Sequence, residues 1–174
     1  MKTFNNDIRR EKIIEMPTSE KSGIKRRYPE HPLVGVGAVI FKGAEVLLVR
    51  RGQEPARDSW SLPGGLVELG ETLTAAITRE LAEETGLTVR LLGLAAVLER
   101  IFPDDVGRVA YHYVLIDFVC EYLAGELRPA SDITAAQFVA LPDLPRFDLP
   151  RFTLDVILRA NDQKQRGTFL PLID

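Results

Sequence analysis

A single cysteine, Cys120, stands among the 174 residues, so no intrachain disulfide can form, and a secreted, disulfide-stapled fold is excluded. A reducing cytosol suits such a chain. Positive charge is also scarce: 22 Lys and Arg face 25 Asp and Glu, for a formal net charge of -3. No overall positive field therefore invites nucleic acid or an anionic membrane. A polyanionic substrate would need local help, from a few arginines or from metal ions. Long apolar runs are missing too. A run such as "LLGLAAVL" at 91–98 falls far short of the roughly 20 residues of a membrane span. The N-terminal "MKTFNNDIRREK" lacks the apolar middle of a secretory signal. No internal repeat and no low-complexity tract appears. These absences lead to the expectation of a soluble, cytoplasmic protein.

A chain of this length with 45% hydrophobic residues can bury one sizeable core, which predicts one compact domain rather than two. Its first 32 residues have another texture, with eight Lys and Arg against five Asp and Glu, little periodicity, and a Pro-containing end, "RRYPEHP". Residues 1–32 read as an N-terminal arm, either loosely packed, strapped over the domain or contacting a second copy, and residues 33–174 as the domain. From Leu33, "LVGVGAVIF" and "EVLLVRR" flank a Gly-containing turn as a hairpin. "WSLPGG" is expected to break regular structure, and a helix to run from about Thr72 to Thr85, stopped by Gly86. Strands are predicted near 88–101, 109–122 and 135–141, with turns at "PDDVG" and "LAGE". A last helix near 150–164 places Phe152, Val156, Ile157 and Ala160 on one apolar stripe.

The first of these helices carries three glutamates in five positions, Glu80, Glu83 and Glu84. Charge runs are ordinarily solvated helix faces, and such a face should lie opposite the apolar stripe. At about 100° per residue, however, Leu73, Ala76 and Ile77 define the stripe and the three glutamates extend it, while Thr74, Ala75, Thr78 and Ala82 fall on the other side. Like charges at i, i+4 repel, and more strongly when desolvated. A divalent cation is an economical compensation. Mg2+ takes oxygen ligands at about 2.0–2.1 Å, usually keeps several waters, and also binds substrate phosphates. The cluster therefore points to phosphate-ester or phosphoanhydride chemistry.

The same stretch resembles a known family. "GLVELGETLTAAITRELAEETGL" fits the Nudix box, with Gly65, five residues, Glu71, seven residues, Arg79-Glu80-Leu81, one residue, Glu83-Glu84, one residue, and Gly86-Leu87. The preceding strand pair, the "WSLPGG" lead-in and the later strands and closing helix follow the family's order, so the likeness covers roughly residues 33–160. It implies an α/β fold, a Nudix α/β/α sandwich with a mixed β-sheet between helices, and hydrolysis of a nucleoside diphosphate linked to another moiety. Carried over by position, Glu80, Glu83 and Glu84 are expected metal ligands for Mg2+, with Mn2+ as an alternative, and the Gly64 carbonyl is a further one. Glu84 is the expected base, with Glu83 also placed in the catalytic group. Arg79 is the expected partner of Glu71. It points about 40° from Glu83 on the helical wheel and away from the metal stripe, as an orienter of the loop would. Gly64 and Gly65 let the chain turn sharply and bring carbonyls close to an ion.

For the substrate, the resemblance puts a phosphate-gripping basic residue at the end of the second strand, which favours Arg51 over Arg50. Neighbouring strand residues face opposite ways, so at most one of the two points inward. Phe102 and Trp60 are candidates for stacking a base, and Tyr111, His112 and Tyr113 for lining the pocket. "GELRPASD" offers Glu126 and Asp132 as loop acids, and Asp132 is retained as a site residue by analogy. Pro103, sixteen residues beyond Leu87, has the spacing of the family's ADP-ribose pyrophosphatases, although "FPDD" is also an ordinary hairpin loop. The expected activity is cleavage of ADP-ribose to AMP and ribose 5-phosphate. A pool-sanitising nucleoside triphosphate pyrophosphohydrolase is the alternative, and a non-catalytic nucleotide sensor is the reading from another class. The expected partner is a small-molecule nucleotide, with no nucleic acid and no membrane. A homodimer that exchanges the arm between subunits is the assembly the resemblance allows.

Overall fold

The structure, a computed structural model, describes residues 25–52, 58–130 and 133–171. Its seven strands are β1 (Leu33–Lys42), β2 (Glu45–Arg51), β3 (Trp60–Ser61), β4 (Gly64–Leu66), β5 (Thr88–Pro103), β6 (Val109–Ala124) and β7 (Ile133–Ala140). The helices are α1 (Leu73–Thr85) and α2 (Arg151–Arg166), and a 3-10 segment covers Leu141–Arg146. The sheet runs β3-β2-β1-β6-β5, with β4 added to β1 and β7 to β2. Among the described residues only β1 and β6 pair in parallel, from Leu33↔Tyr113 to Phe41↔Glu121, and the other strand pairings are antiparallel. The expected mixed sheet is present.

Alternation along the central strands makes both faces of this sheet apolar, so each must be covered. Val36, Ala38 and Ile40 of β1 pack with Ala76, Ile77 and Leu81 of α1. Val39 and Phe41, on the opposite face, pack with Val156, Ile157 and Ala160 of α2. The helix ends follow local chemistry. Thr72 caps α1 by accepting from the Ala75 N–H, and Gly86 closes it in the left-handed region at φ 69°. On α2 the buried stripe is Thr153, Val156, Ile157 and Ala160. Phe152 is only half-buried and lies under the Arg100 guanidinium, 4.2 Å from its ring centroid.

One expectation needs correction. "WSLPGG" does not simply break the sheet: Trp60–Ser61 pairs with Val49–Arg50, and Gly64–Leu66 pairs with Gly35–Gly37. Pro63 interrupts between them, yet its carbonyl still accepts from the Ala38 N–H at 3.0 Å. Tyr28, near the end of the predicted arm, lies against the sheet, as a strap over the domain would. The Tyr28 N–H donates to the Ala110 carbonyl at 2.8 Å, and its ring joins Leu66, Tyr111 and Tyr113 in a small apolar cluster. Its hydroxyl donates to Asp104 at 2.9 Å in the β5–β6 turn. Residues 1–24, the bulk of the predicted arm, lie outside the described residues.

Candidate active site

The site is built where α1 faces β4. Gly64 adopts φ +143°, and a Cβ there would collide with the Val36 carbonyl and lie 2.8 Å from the Gly37 Cα. Only glycine satisfies both the angle and the approach. At Gly65 the space a Cβ would fill is taken by the Glu80 carboxylate. The neighbouring N–H, that of Gly64, donates to Glu84 Oε2 at 2.9 Å. Two of the three clustered glutamates thus turn onto the same pair of glycines.

The third does not. Glu84 is 7% exposed and the Glu80 side chain 15%, but that of Glu83 is 46% exposed. The expectation that all three face the body holds for two of them. The buried line of α1 runs through Ile77, Leu81 and Glu84, and Glu83 lies about 100° around the helix from Glu84.

Arg79 locks the preceding loop. Its Nε donates to Glu71 Oε1 and its Nη2 to Glu71 Oε2, both at 2.9 Å, with a further bond from Nη2 to the Leu66 carbonyl at 3.1 Å. This fork-on-fork pair is the strong geometry for arginine and carboxylate. Contrary to the wheel, the guanidinium does not avoid the acidic stripe. Its Nη1 donates to Glu80 at 2.8 Å and lies 4.0 Å from Glu83. A wheel places Cβ atoms, and a side chain as long as arginine carries its charge well off that direction.

The electrostatics follow from these contacts. The bonds from Arg79 hold the Glu71 carboxyl below its usual range. Burial pushes Glu80 up, opposed by Arg79, with repulsion from Glu83 adding to the rise. The donors offered at this site are all oxygens, the chemistry a hard divalent ion takes. Among the described residues, however, no three His, Cys, Asp or Glu side chains are gathered closely enough to hold an ion as they stand.

The two arginines ending β2 are separated by a register shift. Arg50 is spent on the adjoining turn, where its Nε donates to the Asp58 carbonyl at 3.1 Å and its Nη2 pairs with the Asp58 carboxylate at 3.2 Å. Arg51 has a buried Nε with no hydrogen-bond partner. Phe102 packs against the Tyr111 and Tyr113 cluster, whose two rings stack at 6.3 Å. Trp60 belongs instead to the α2 side, edge-on to Phe147 at 5.1 Å. His112 pairs with Glu99 at 3.2 Å, and Glu126 with Arg128. Asp132 lies outside the described residues. Sequence reasoning passed over Arg26, whose Nε is buried and unpartnered, and Asp117, a buried acid on β6. A lone Asp inside the apolar run "VLIDFVC" was the signal for the second; the first had none.

Comparison with known proteins identifies the family. Residues 31–159 match the NUDIX domain. The ADP-ribose pyrophosphatase of Methanocaldococcus jannaschii is 37% identical over 122 residues, which is 70% of each chain. Among solved structures, the MutT NUDIX hydrolase from Burkholderia pseudomallei superposes with a TM-score of 0.65 at 32% identity, over 75% of this chain and 98% of that one. A UDP-X diphosphatase gives 0.63 at 29%, over 81% of this chain and 68% of that one. With its box residues placed as described and the match spanning most of its length, the chain belongs to the Nudix hydrolase family.

Proposed function

We propose that this Nudix hydrolase cleaves the pyrophosphate of a nucleoside diphosphate linked to another group, with ADP-ribose as the preferred substrate and AMP and ribose 5-phosphate as products. The observation that carries the reading is the convergence of Glu80 and Glu84 on the Gly64–Gly65 strand, beside a loop clamped by Arg79 and Glu71. The likeness to the ADP-ribose pyrophosphatase of M. jannaschii supports the choice of substrate.

Glu80, Glu83, Glu84 and the Gly64 carbonyl would hold Mg2+, or Mn2+ in its place. When bound, the ion supplies charge neutralisation for the non-bridging phosphate oxygens. The chain's own residues do the rest. Glu84, oriented by the Gly64 N–H, accepts a proton from the attacking water. The water oxygen bonds to one phosphorus as the bridging P–O bond breaks, and the electron pair leaves with the second phosphate. Arg79 and Glu71 act on Glu80 and the loop, as positioning residues. Arg51 offers its guanidinium to the diphosphate, and Phe102 an aromatic surface. The small size of this apparatus is consistent with phosphoryl chemistry, where positioning and electrostatics supply most of the rate.

Turnover of a panel of nucleotide derivatives with Mg2+ tests the proposal. ADP-ribose is expected to lead. Faster hydrolysis of nucleoside triphosphates would select the pool-sanitising alternative, and binding of ADP-ribose without hydrolysis the sensing one.

A further inference from the structure

Three polar groups are buried and have no hydrogen-bond partner around one hydroxyl, that of Tyr113: the hydroxyl itself, Arg26 Nε and Arg51 Nε. They come from distant parts of the chain, the segment before β1, the end of β2 and the start of β6. Arg26 and Arg51 both lie within electrostatic reach of the Tyr113 hydroxyl, and Arg26 is also within reach of Glu80. Among the described residues, neither guanidinium makes an ion pair. A buried donor left unmade costs about 1–3 kcal/mol, and native structures leave few of them. Two guanidinium groups within reach of one such hydroxyl share one remedy, an acceptor with several oxygens and negative charge. Burial holds the Tyr113 hydroxyl up at about 12, so it keeps its proton and donates at neutral pH.

We infer that Arg26, Arg51 and the Tyr113 hydroxyl form a cradle for a phosphate group of the substrate, completed by the segment that precedes β1. Arg26 lies outside residues 31–159, the stretch that matches the family, so this chain adds a binding residue from beyond the domain. The segment is pinned for the purpose. Tyr28, two residues on, is tied to Ala110 through its N–H and to Asp104 through its hydroxyl, and the Arg108 guanidinium lies 4.9 Å from its ring centroid. Its φ of +52° turns the chain there. Such a conformation is uncommon for a bulky residue and persists only when its surroundings enforce it. The inference rests on the proposed diphosphate substrate for its ligand, but not for its geometry.

The test uses the full chain with Arg26→Gln, Arg26→Lys and Tyr113→Phe, with thermal melts verifying that each folds. Two readouts are taken: KM and kcat for ADP-ribose, and calorimetric affinity for inorganic pyrophosphate and, separately, for inorganic phosphate. Arg26→Gln should raise KM and weaken pyrophosphate binding about tenfold to a hundredfold, the scale of a hydrogen bond to a charged group. The kcat should change little, since the interaction is made in ground and transition states alike. Arg26→Lys should restore part of the loss, and Tyr113→Phe should cost several-fold. Unchanged KM and pyrophosphate affinity in Arg26→Gln overturn the cradle even if the enzyme turns over ADP-ribose as proposed. A loss confined to inorganic phosphate overturns it as a diphosphate site. If the parent hydrolyses no nucleotide, weaker pyrophosphate binding by Arg26→Gln still upholds the cradle, while the proposed reaction falls.

Discussion

Asp117 is the most exacting test of the energetics. Its side chain is 7% exposed, on the sheet face that α2 covers, and lies over Gly37, where a Cβ would collide with it. Among the described residues no hydrogen bond serves it, and burial raises its carboxyl from 3.8 to about 6, only partly opposed by the charge of Arg100. Between these two values the folded protein keeps a proton that the unfolded chain has released, so the free energy of unfolding falls as pH rises. Stability is thus fully present below the unfolded value and is lost as pH climbs through the folded one. A rise of about two, at about 1.4 kcal/mol each, gives a full penalty of about 3 kcal/mol above pH 6. About 1 kcal/mol of it is already present at pH 4.5, leaving about 2 kcal/mol to develop by pH 8. Asp117→Asn removes the charge and keeps the shape. Its amide is buried at every pH, so any fixed cost cancels when the two proteins are compared across pH. Urea denaturation of both proteins from pH 4.5 to 8, analysed by linear extrapolation, reads the difference directly. The stability of the Asn variant relative to the parent should improve by about 2 kcal/mol over that range. A difference flat across the range would show that the carboxylate ionises in the fold without penalty, through a partner or solvent access that the geometry does not show.

Further consequences follow from the site. Gly65→Ala should displace the Glu80 carboxylate, the movable end of a side chain, and cut turnover at least tenfold while shifting the melting temperature only slightly. Gly64→Ala drives a Cβ into backbone at Val36 and should yield little soluble folded protein, so expression and melting measurements separate the two. Glu84→Gln should lower kcat by about 10²–10⁴, the range of a lost general base, with KM nearly unchanged; near-parent turnover would remove Glu84 from that role. Chelation with EDTA should abolish hydrolysis yet leave the melting temperature within about 2 °C, because Glu80 and Glu84 have partners in the chain itself; a fall beyond about 2–4 °C would mean that an ion contributes about 1 kcal/mol or more to the fold.

The parts of this protein that were legible in its sequence are those decided within a few residues. Thr72 and Gly86 bound α1 through their own side chain and backbone angle, and the pairing of Glu71 with Arg79 follows the spacing of the motif. The runs "LVGVGAVIF" and "EVLLVRR" around a Gly-containing turn marked the antiparallel pair β1 and β2. What was missed depends on partners far along the chain. Trp60–Ser61 and Gly64–Leu66 are too short to announce themselves and exist as strands because β2 and β1 receive them. Arg26 comes within electrostatic reach of Tyr113 across 87 positions of sequence, and nothing local in "GIKRRYPEHP" distinguishes it from Lys25 or Arg27. The direction of the Arg79 guanidinium was misread because a wheel carries no information about the end of a long side chain.

That misreading alters the reason for the acidic helix. Mutual repulsion among Glu80, Glu83 and Glu84 suggested that something outside the chain must compensate, with a metal ion as the economical answer. The structure distributes the cost internally. Glu80 pairs with Arg79, Glu84 takes the Gly64 N–H, and Glu83 stays largely in water. Folding therefore does not by itself require an ion at these carboxylates. Under the proposed function, the crowding instead reflects what the site presents, two acids held at one strand of glycines. Such preorganisation is where an enzyme's electrostatic advantage resides, since oriented charges need no rearrangement as the reaction proceeds. Arg79 is the hinge of this economy. One guanidinium bonds the loop through Glu71 and the helix through Glu80, so whatever draws on Glu80 must also be felt at the loop.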